Sequence, residues 1–239
     1  MNSITRVASV AARLVPHRWA WAEENAALVS EHWARRKADK PAIFNGPVLM
    51  IARSRLLEDT LEAEFFETPY ASFLTWLDLG FPDRSVQNGF AMGALTAADG
   101  AYLLGEMGPH TSQAGRVYFP AGTPDPTDVR QDGTVDLAAS ITREIEEETG
   151  FAPSEYGVEP GWILVREEGF TAFMRHVRVP LPAEAARDRI LAHLAADPEP
   201  ELAGIRIARG VADIDEAAMP AYLTAFLRWS YREGAARAA

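Results

Sequence analysis

The sequence predicts an α/β protein built on a mixed sheet covered by helices. Three observations carry that class. Stretches with two-residue alternation and stretches with helical spacing are interleaved in no strict order, which suits a mixed sheet better than a regular strand-helix repeat. Of 239 residues 48% are hydrophobic, enough for a real core in one large domain or two small ones. No apolar run is long enough to span a bilayer, and no internal repeat is visible.

Taken in order, the first residues, "MNSITRVASVAARLVPHRWAW", hold arginines and no acid before Glu23. A transit peptide has a similar composition, but no cleavage pattern follows, and an ordinary helix or strand start is the preferred reading. "AEENAALVSEHWARRKADKP" has helical spacing and stops before Pro41. "GPVLMIARSRLLEDTLEAEFFETP" reads as two strands around a polar turn at Glu58-Asp59. "ASFLTWLDLGFP" is a short helix ending at Gly80, with Pro82 just beyond. A soft boundary falls near Asp83 to Asn88. It divides the chain into an N-terminal α+β extension, residues 1–85, and a second domain with C-terminal helices, residues 86–239.

Beyond the boundary, "NGFAMGALTAADGAYLLGEM" is a hairpin turning at Asp99-Gly100. "RVYFPAG" is a short strand running into the polar connection "TPDPTDVRQDGTV", and a helix spans about Val135 to Glu148. Two strands flank the turn Glu167-Glu168-Gly169, and helices over "AEAARDRILAHLAA" and "MPAYLTAFLRWSYREGAARAA" close the chain. The aromatics Phe65, Phe66, Tyr70, Phe73 and Trp76 suit either a stacking surface for a base or a core, with core preferred for most. His110 and His176 stand isolated in sequence and read as structural or surface residues.

The net charge of −11 argues against bulk nucleic acid as a partner, since phosphate binding favours a basic surface. The absence of cysteine removes disulfides, thiolate nucleophiles and cysteine zinc sites, and fits a reducing, cytoplasmic setting. No membrane partner is expected. A homodimer is left open.

The stretch "REIEEETGF", Arg143 to Phe151, breaks local rules. At about a hundred degrees per residue, Leu137, Ala138, Ile141 and Ile145 form one apolar stripe, and Glu148 falls inside it. Glu144 lies at the stripe's edge and Glu147 just beyond, so three carboxylates are helical neighbours, while Glu146 points away. Each like-charge pair costs about 0.2–0.5 kcal/mol. An acid in the last turn opposes the macrodipole by about 0.3–1 kcal/mol. The helix end is otherwise well specified, with Gly150 supplying the left-handed terminal residue. A solvated acidic face fits poorly, because the run overlaps the apolar stripe. A hard divalent cation, Mg²⁺ or Mn²⁺, resolves the conflict: it takes carboxylate oxygens, keeps waters and accepts phosphate oxygens.

At these residues the chain resembles the Nudix hydrolases, whose motif is G-x5-E-x7-R-E-U-x-E-E-x-G-U with U apolar. The second half matches without a gap at Arg143, Glu144, Ile145, Glu147, Glu148, Gly150 and Phe151. The first half departs. Counted back from Arg143, the isolated Glu of the motif falls on Val135 and its first Gly on Val129. If the Gly of "FPAG", Gly122, is the equivalent, seven extra residues precede the helix. The segment Thr123 to Gly133 then reads as an inserted loop at the mouth of the site, and Asp136, a natural helix N-cap, as the replacement for the missing acid.

The resemblance implies a Nudix-like α/β/α sandwich around a mixed β-sheet. It also implies Mg²⁺- or Mn²⁺-dependent hydrolysis of a nucleoside diphosphate-linked small molecule at its pyrophosphate bond. It makes Arg143, Glu144, Glu147 and Glu148 the catalytic set. Glu144, Glu147, Glu148 and the carbonyl of Ala121 would be metal ligands, and Arg143 would orient a glutamate through a salt bridge. A general base is sought among Glu167 and Glu168, for which an exposed turn is an equal reading. "FPAGTPDPTDV" and "ETPYASFLTW" are faintly similar to members that cleave UDP-sugars, and ADP-ribose or another nucleotide sugar fits nearly as well. The alternative is a regulatory Nudix-fold module that binds a nucleotide without cleaving it.

Overall fold

The computed structural model describes residues 3–41, 43–111 and 113–238. Its strands are β1 (Ser3–Val7), β2 (Ser9–Leu14), β3 (Pro47–Leu57), β4 (Thr60–Pro69), β5 (Gln87–Thr96), β6 (Tyr102–Met107), β7 (Val117–Tyr118), β8 (Ala121–Gly122), β9 (Gly157–Val158), β10 (Trp162–Glu167), β11 (Phe170–Arg178) and β12 (Leu202–Ala208). Its helices are α1 (Ala20–Glu24), α2 (Ala26–Asp39), α3 (Tyr70–Asp78), α4 (Leu137–Thr149), α5 (Ala183–Leu194) and α6 (Ala221–Ala238).

One mixed sheet carries every strand, with the main path β1-β10-β11-β5-β3-β4-β2. The pairs β11–β5 and β2–β4 are parallel, and the other pairings on this path are antiparallel. Strand β6 branches from β5 and carries β7 and β12, and β8 lies against β5. The sheet is continuous across residue 85, since β1 pairs with β10 and β3 with β5.

Alternation along β5 feeds two cores. Ala91 and Leu95 face Ile141 and Ile145 of α4 and Ile190 of α5. Met92 and Ala94 face Leu223, Phe226 and Leu227 of α6 on the other side. The architecture is therefore an α/β/α sandwich around a mixed sheet. A third cluster joins Trp19, Met50, Phe66, Phe73 and Trp76 beneath α3, so most of the singled-out aromatics are core. The N-terminal segment forms two strands.

Helix α4 has the ends its sequence prescribes. The Asp136 carboxylate accepts from the Ala139 N–H at 3.1 Å, and Gly150 terminates the helix at φ 70°. Leu137, Ile141, Ile145 and Glu148 are all buried, as the stripe requires. His193, in the last turn of α5, donates from Nε2 to the Glu147 carbonyl at 2.9 Å, satisfying one of the carbonyls left open at the end of α4.

Candidate active site

The short strand β8 brings Ala121 and Gly122 against α4. A Cβ on Gly122 would stand 2.7 Å from Cδ of Glu144, so the close approach of backbone to carboxylate depends on glycine there. Arg143, next to Glu144 on α4, reaches Asp128. Its Nη1 donates to Oδ1 at 2.5 Å and its Nη2 to Oδ2 at 3.3 Å, and Nη2 also donates to Glu144 Oε1 at 3.2 Å. The Asp128 side chain is 1% exposed and accepts in addition from the Asp125 N–H at 3.1 Å.

The acid that engages Arg143 is Asp128. Asp136 caps α4 and pairs outward with Arg130. Asp128 is the sixth residue after Gly122, which is the spacing of the motif's first half with Asp in place of Glu. The extra residues therefore follow the acid. They pack on β2: the Gly133 carbonyl accepts from the Leu14 N–H at 2.8 Å, and the Val135 N–H donates to the Ala12 carbonyl at 3.0 Å. Only the start of the loop touches the larger cleft, through Thr123.

The carboxylates differ sharply. Glu148 is 6% exposed, and its Oε2 is buried with no hydrogen-bond partner. Burial first, then the charges of Glu144 and Glu201, push its carboxyl well above the ordinary range. The Glu144 carboxyl is pushed up to about 7, chiefly by burial; Arg143 opposes the shift and Glu147 adds to it. Glu147 is exposed. Among the described residues no three Asp, Glu or His side chains stand close enough together to hold an ion as they are placed. The donor set nonetheless suits a hard cation. It offers carboxylate oxygens only, one of them buried and orphaned, in a place where charge is strongly disfavoured without a positive partner.

Two cavities meet at Tyr70, Tyr118 and Ala121. The larger, about 510 Å³, is lined by Phe90, Asn88, Arg116, Gly122, Glu167, Phe170 and Tyr222 among others. The smaller, about 390 Å³, holds Glu148, Glu201 and His110. The two general-base candidates separate here. Glu167 lines the larger cleft, with its carboxyl raised by burial and one oxygen unpartnered. Glu168 lies outside it, paired with Arg84 and 55% exposed. The structure also places residues that sequence reasoning passed over. Glu201 acts on both Glu144 and Glu148. His110, read as isolated, lies in the same cavity as Glu148. The Tyr118 phenol is pushed upward by burial and the surrounding carboxylates and keeps its proton. His176 packs against Tyr102 and Phe226, away from both cavities.

No protein-family model matches the chain, and no curated protein matches it. Solved structures similar to it include a Nudix hydrolase of M. smegmatis, RenU, at 17% identity and TM-score 0.42, covering 63% of this chain and 87% of that one. A C. elegans Ap4A hydrolase is similar at 14% identity and TM-score 0.41, covering 62% and 98%. A NUDIX hydrolase from Nitrosomonas europaea follows at 18% identity and TM-score 0.39, covering 62% and 90%. No helix among the described residues is long and apolar enough to cross a membrane.

Proposed function

We propose that this chain is a Nudix-type pyrophosphohydrolase, acting with Mg²⁺ or Mn²⁺ on a small molecule linked to a nucleoside diphosphate. The observation that carries the reading is the buried, unpartnered Glu148 Oε2, under the charge of Glu144, in the smaller cavity. Structural ion pairing does not account for it, because Arg143 is already committed to Asp128 and Glu144. The uninterrupted match from Arg143 to Phe151 and the Gly122–Asp128 spacing support the same family.

Glu144, Glu148 and, after a turn of its exposed side chain, Glu147 would hold the cation, with the Ala121 carbonyl beside them. Bound there, such an ion offsets phosphate charge and lowers the pKa of a coordinated water. The residues of the chain have distinct tasks. Asp128 fixes the Arg143 guanidinium in two-point contact, and Arg143 in turn holds Glu144 Oε1 in place. Gly122 lets the β8 backbone approach Glu144. Tyr118, still protonated, is a donor where the two cavities join. Arg116 brings positive charge to the wall of the larger cleft.

The faint sequence resemblance alone puts UDP-sugars and ADP-ribose first among substrates, an order the cleft's own lining revises below. The solvent-facing position of Glu147 favours a second reading, a module that binds such compounds without cleaving them. One screen separates the two: UDP-glucose, ADP-ribose, NADH, dinucleoside polyphosphates and coenzyme A, each with Mg²⁺ and with Mn²⁺. Metal-dependent turnover of at least one compound is expected. Tight binding with no turnover of any would replace the hydrolase with the module.

A further inference from the structure

Glu167, Phe170 and Asn88 form a row across three adjacent strands. Glu167 of β10 is the register partner of Phe170 of β11, and Phe170 is the partner of Asn88 of β5. Register partners share a face of the sheet, so the three side chains stand side by side, and all three line the larger cleft. The Asn88 N–H donates to the Gly169 carbonyl at 2.8 Å, which pins the row. The Phe170 ring is itself held by Phe90 at 5.9 Å and Tyr222 at 5.5 Å between centroids. On either side of it are polar groups with unmet demand: Asn88 Oδ1 and one Glu167 oxygen are buried without a partner.

The row lies well away from the carboxylates. Ala121, beside Glu148, pairs with Met92, four residues along β5 from Asn88. At about 3.3 Å per residue the separation is roughly 13 Å. The row and the carboxylates thus stand toward different ends of the space that Ala121 and Gly122 share with Glu167. It suits a ligand with a flat ring at one end and phosphates at the other.

We propose that Glu167, Phe170 and Asn88 form a nucleobase-reading floor, selective for a base that presents hydrogen-bond donors on its edge, guanine foremost. The inference rests on the hydrolase proposed above and revises its substrate order, placing guanosine derivatives ahead of ADP-ribose and UDP-sugars. Phe170 offers a stacking surface. An ionised carboxylate only accepts hydrogen bonds, and it can take two parallel donors. Guanine offers adjacent N1–H and N2–H₂ donors. Adenine and cytosine each offer one amino group. Uracil flanks its single N–H with two carbonyl oxygens, which a carboxylate repels. In this reading Glu167 acts as a specificity residue.

The test is calorimetric binding of GMP, AMP, CMP and UMP with chelator present, so that metal chemistry plays no part. GMP should bind tightest and UMP weakest, about tenfold or more apart. Glu167→Gln, nearly isosteric, exchanges an acceptor pair for an amide and should bring the GMP-to-UMP ratio within a few-fold. Phe170→Leu should weaken all four together, in a protein whose melting curve shows it folded. Equal binding of the four nucleotides, or an unchanged ratio in Glu167→Gln, overturns the proposal. So does the signature of a general base, in which metal-free binding is untouched and kcat falls equally for every nucleoside substrate. Metal-dependent hydrolysis with no ranking among bases would end this inference and leave the hydrolase standing. Ranked binding without hydrolysis would do the reverse.

Discussion

The Glu144 carboxyl ties the electrostatics of the site to the stability of the whole protein. Its pKa is moved from 4.5 to about 7, mostly by burial. The side chain is 15% exposed, so solvent screens the effect little. A shift of about 2.5 units corresponds to about 3 kcal/mol, a ceiling for this one group. The folded state binds the proton more tightly than the unfolded chain does. The associated stability is therefore present in full below pH 4.5 and is lost as the pH rises through 7. The perturbation is Glu144→Gln, which removes the titration and keeps the shape. Urea midpoints would be measured with chelator at pH 5, 6, 7 and 8. Near pH 5 variant and wild type should be nearly equal in stability. By pH 8 the variant should be more stable by up to about 3 kcal/mol. Removing the Glu144 charge also eases Glu148, which acts in the same direction. Parallel pH profiles for the two proteins would refute the reasoning, since Glu144 would then be hydrated and not shut in against Gly122.

Three further outcomes follow from the same geometry. Mg²⁺ or Mn²⁺ should raise the melting temperature of the wild type, by about 2.7 kcal/mol of stabilisation at a hundredfold excess over Kd, and an unchanged melting curve at millimolar metal would count against the carboxylates as ligands. Glu147→Gln should abolish most hydrolysis while leaving the metal-free fold unchanged or a few tenths of a kcal/mol more stable, because an exposed like charge is removed from the helix end; near-normal turnover would take Glu147 out of the site. Asp128→Asn should cost about 1–3 kcal/mol in urea unfolding and lower turnover as well, since Arg143 loses a buried charged acceptor, whereas Asp136→Asn, which still caps α4, should leave turnover unchanged.

Where local physics dominates, the sequence was readable. Helix α4 is fixed by a capping acid, an apolar stripe and a terminal glycine, all within its own span. The same stripe predicts the burial of Glu148. The hairpins at Glu58-Asp59, Asp99-Gly100 and Glu168-Gly169 carry turn chemistry in the residues themselves. Long-range relations were less accessible. Asp128 looked like one more polar residue in a loop because its partner Arg143 lies 15 residues away. Counting forward from Gly122, instead of back from Arg143, would have found it. Strand β12 has a bulge between Leu202 and Gly204 that breaks its alternation, so both the strand and Glu201 beside it escaped notice. His110 and the cleft faces of Tyr70 and Phe73 depend on which loops and helices come together, which no periodicity encodes.

The residues between Asp128 and α4 hang as a clasp on β2, with Val129 bridged to Val135 and Thr134 to Arg13. Slack in the chain is thus stored on a neighbouring strand, and the acid and the helix keep their mutual placement however much chain lies between them. Gap length and the geometry of the Asp128–Arg143 pair become independent variables. Lengthening or trimming the clasp by a residue or two should therefore leave the Asp128–Arg143 pair in place.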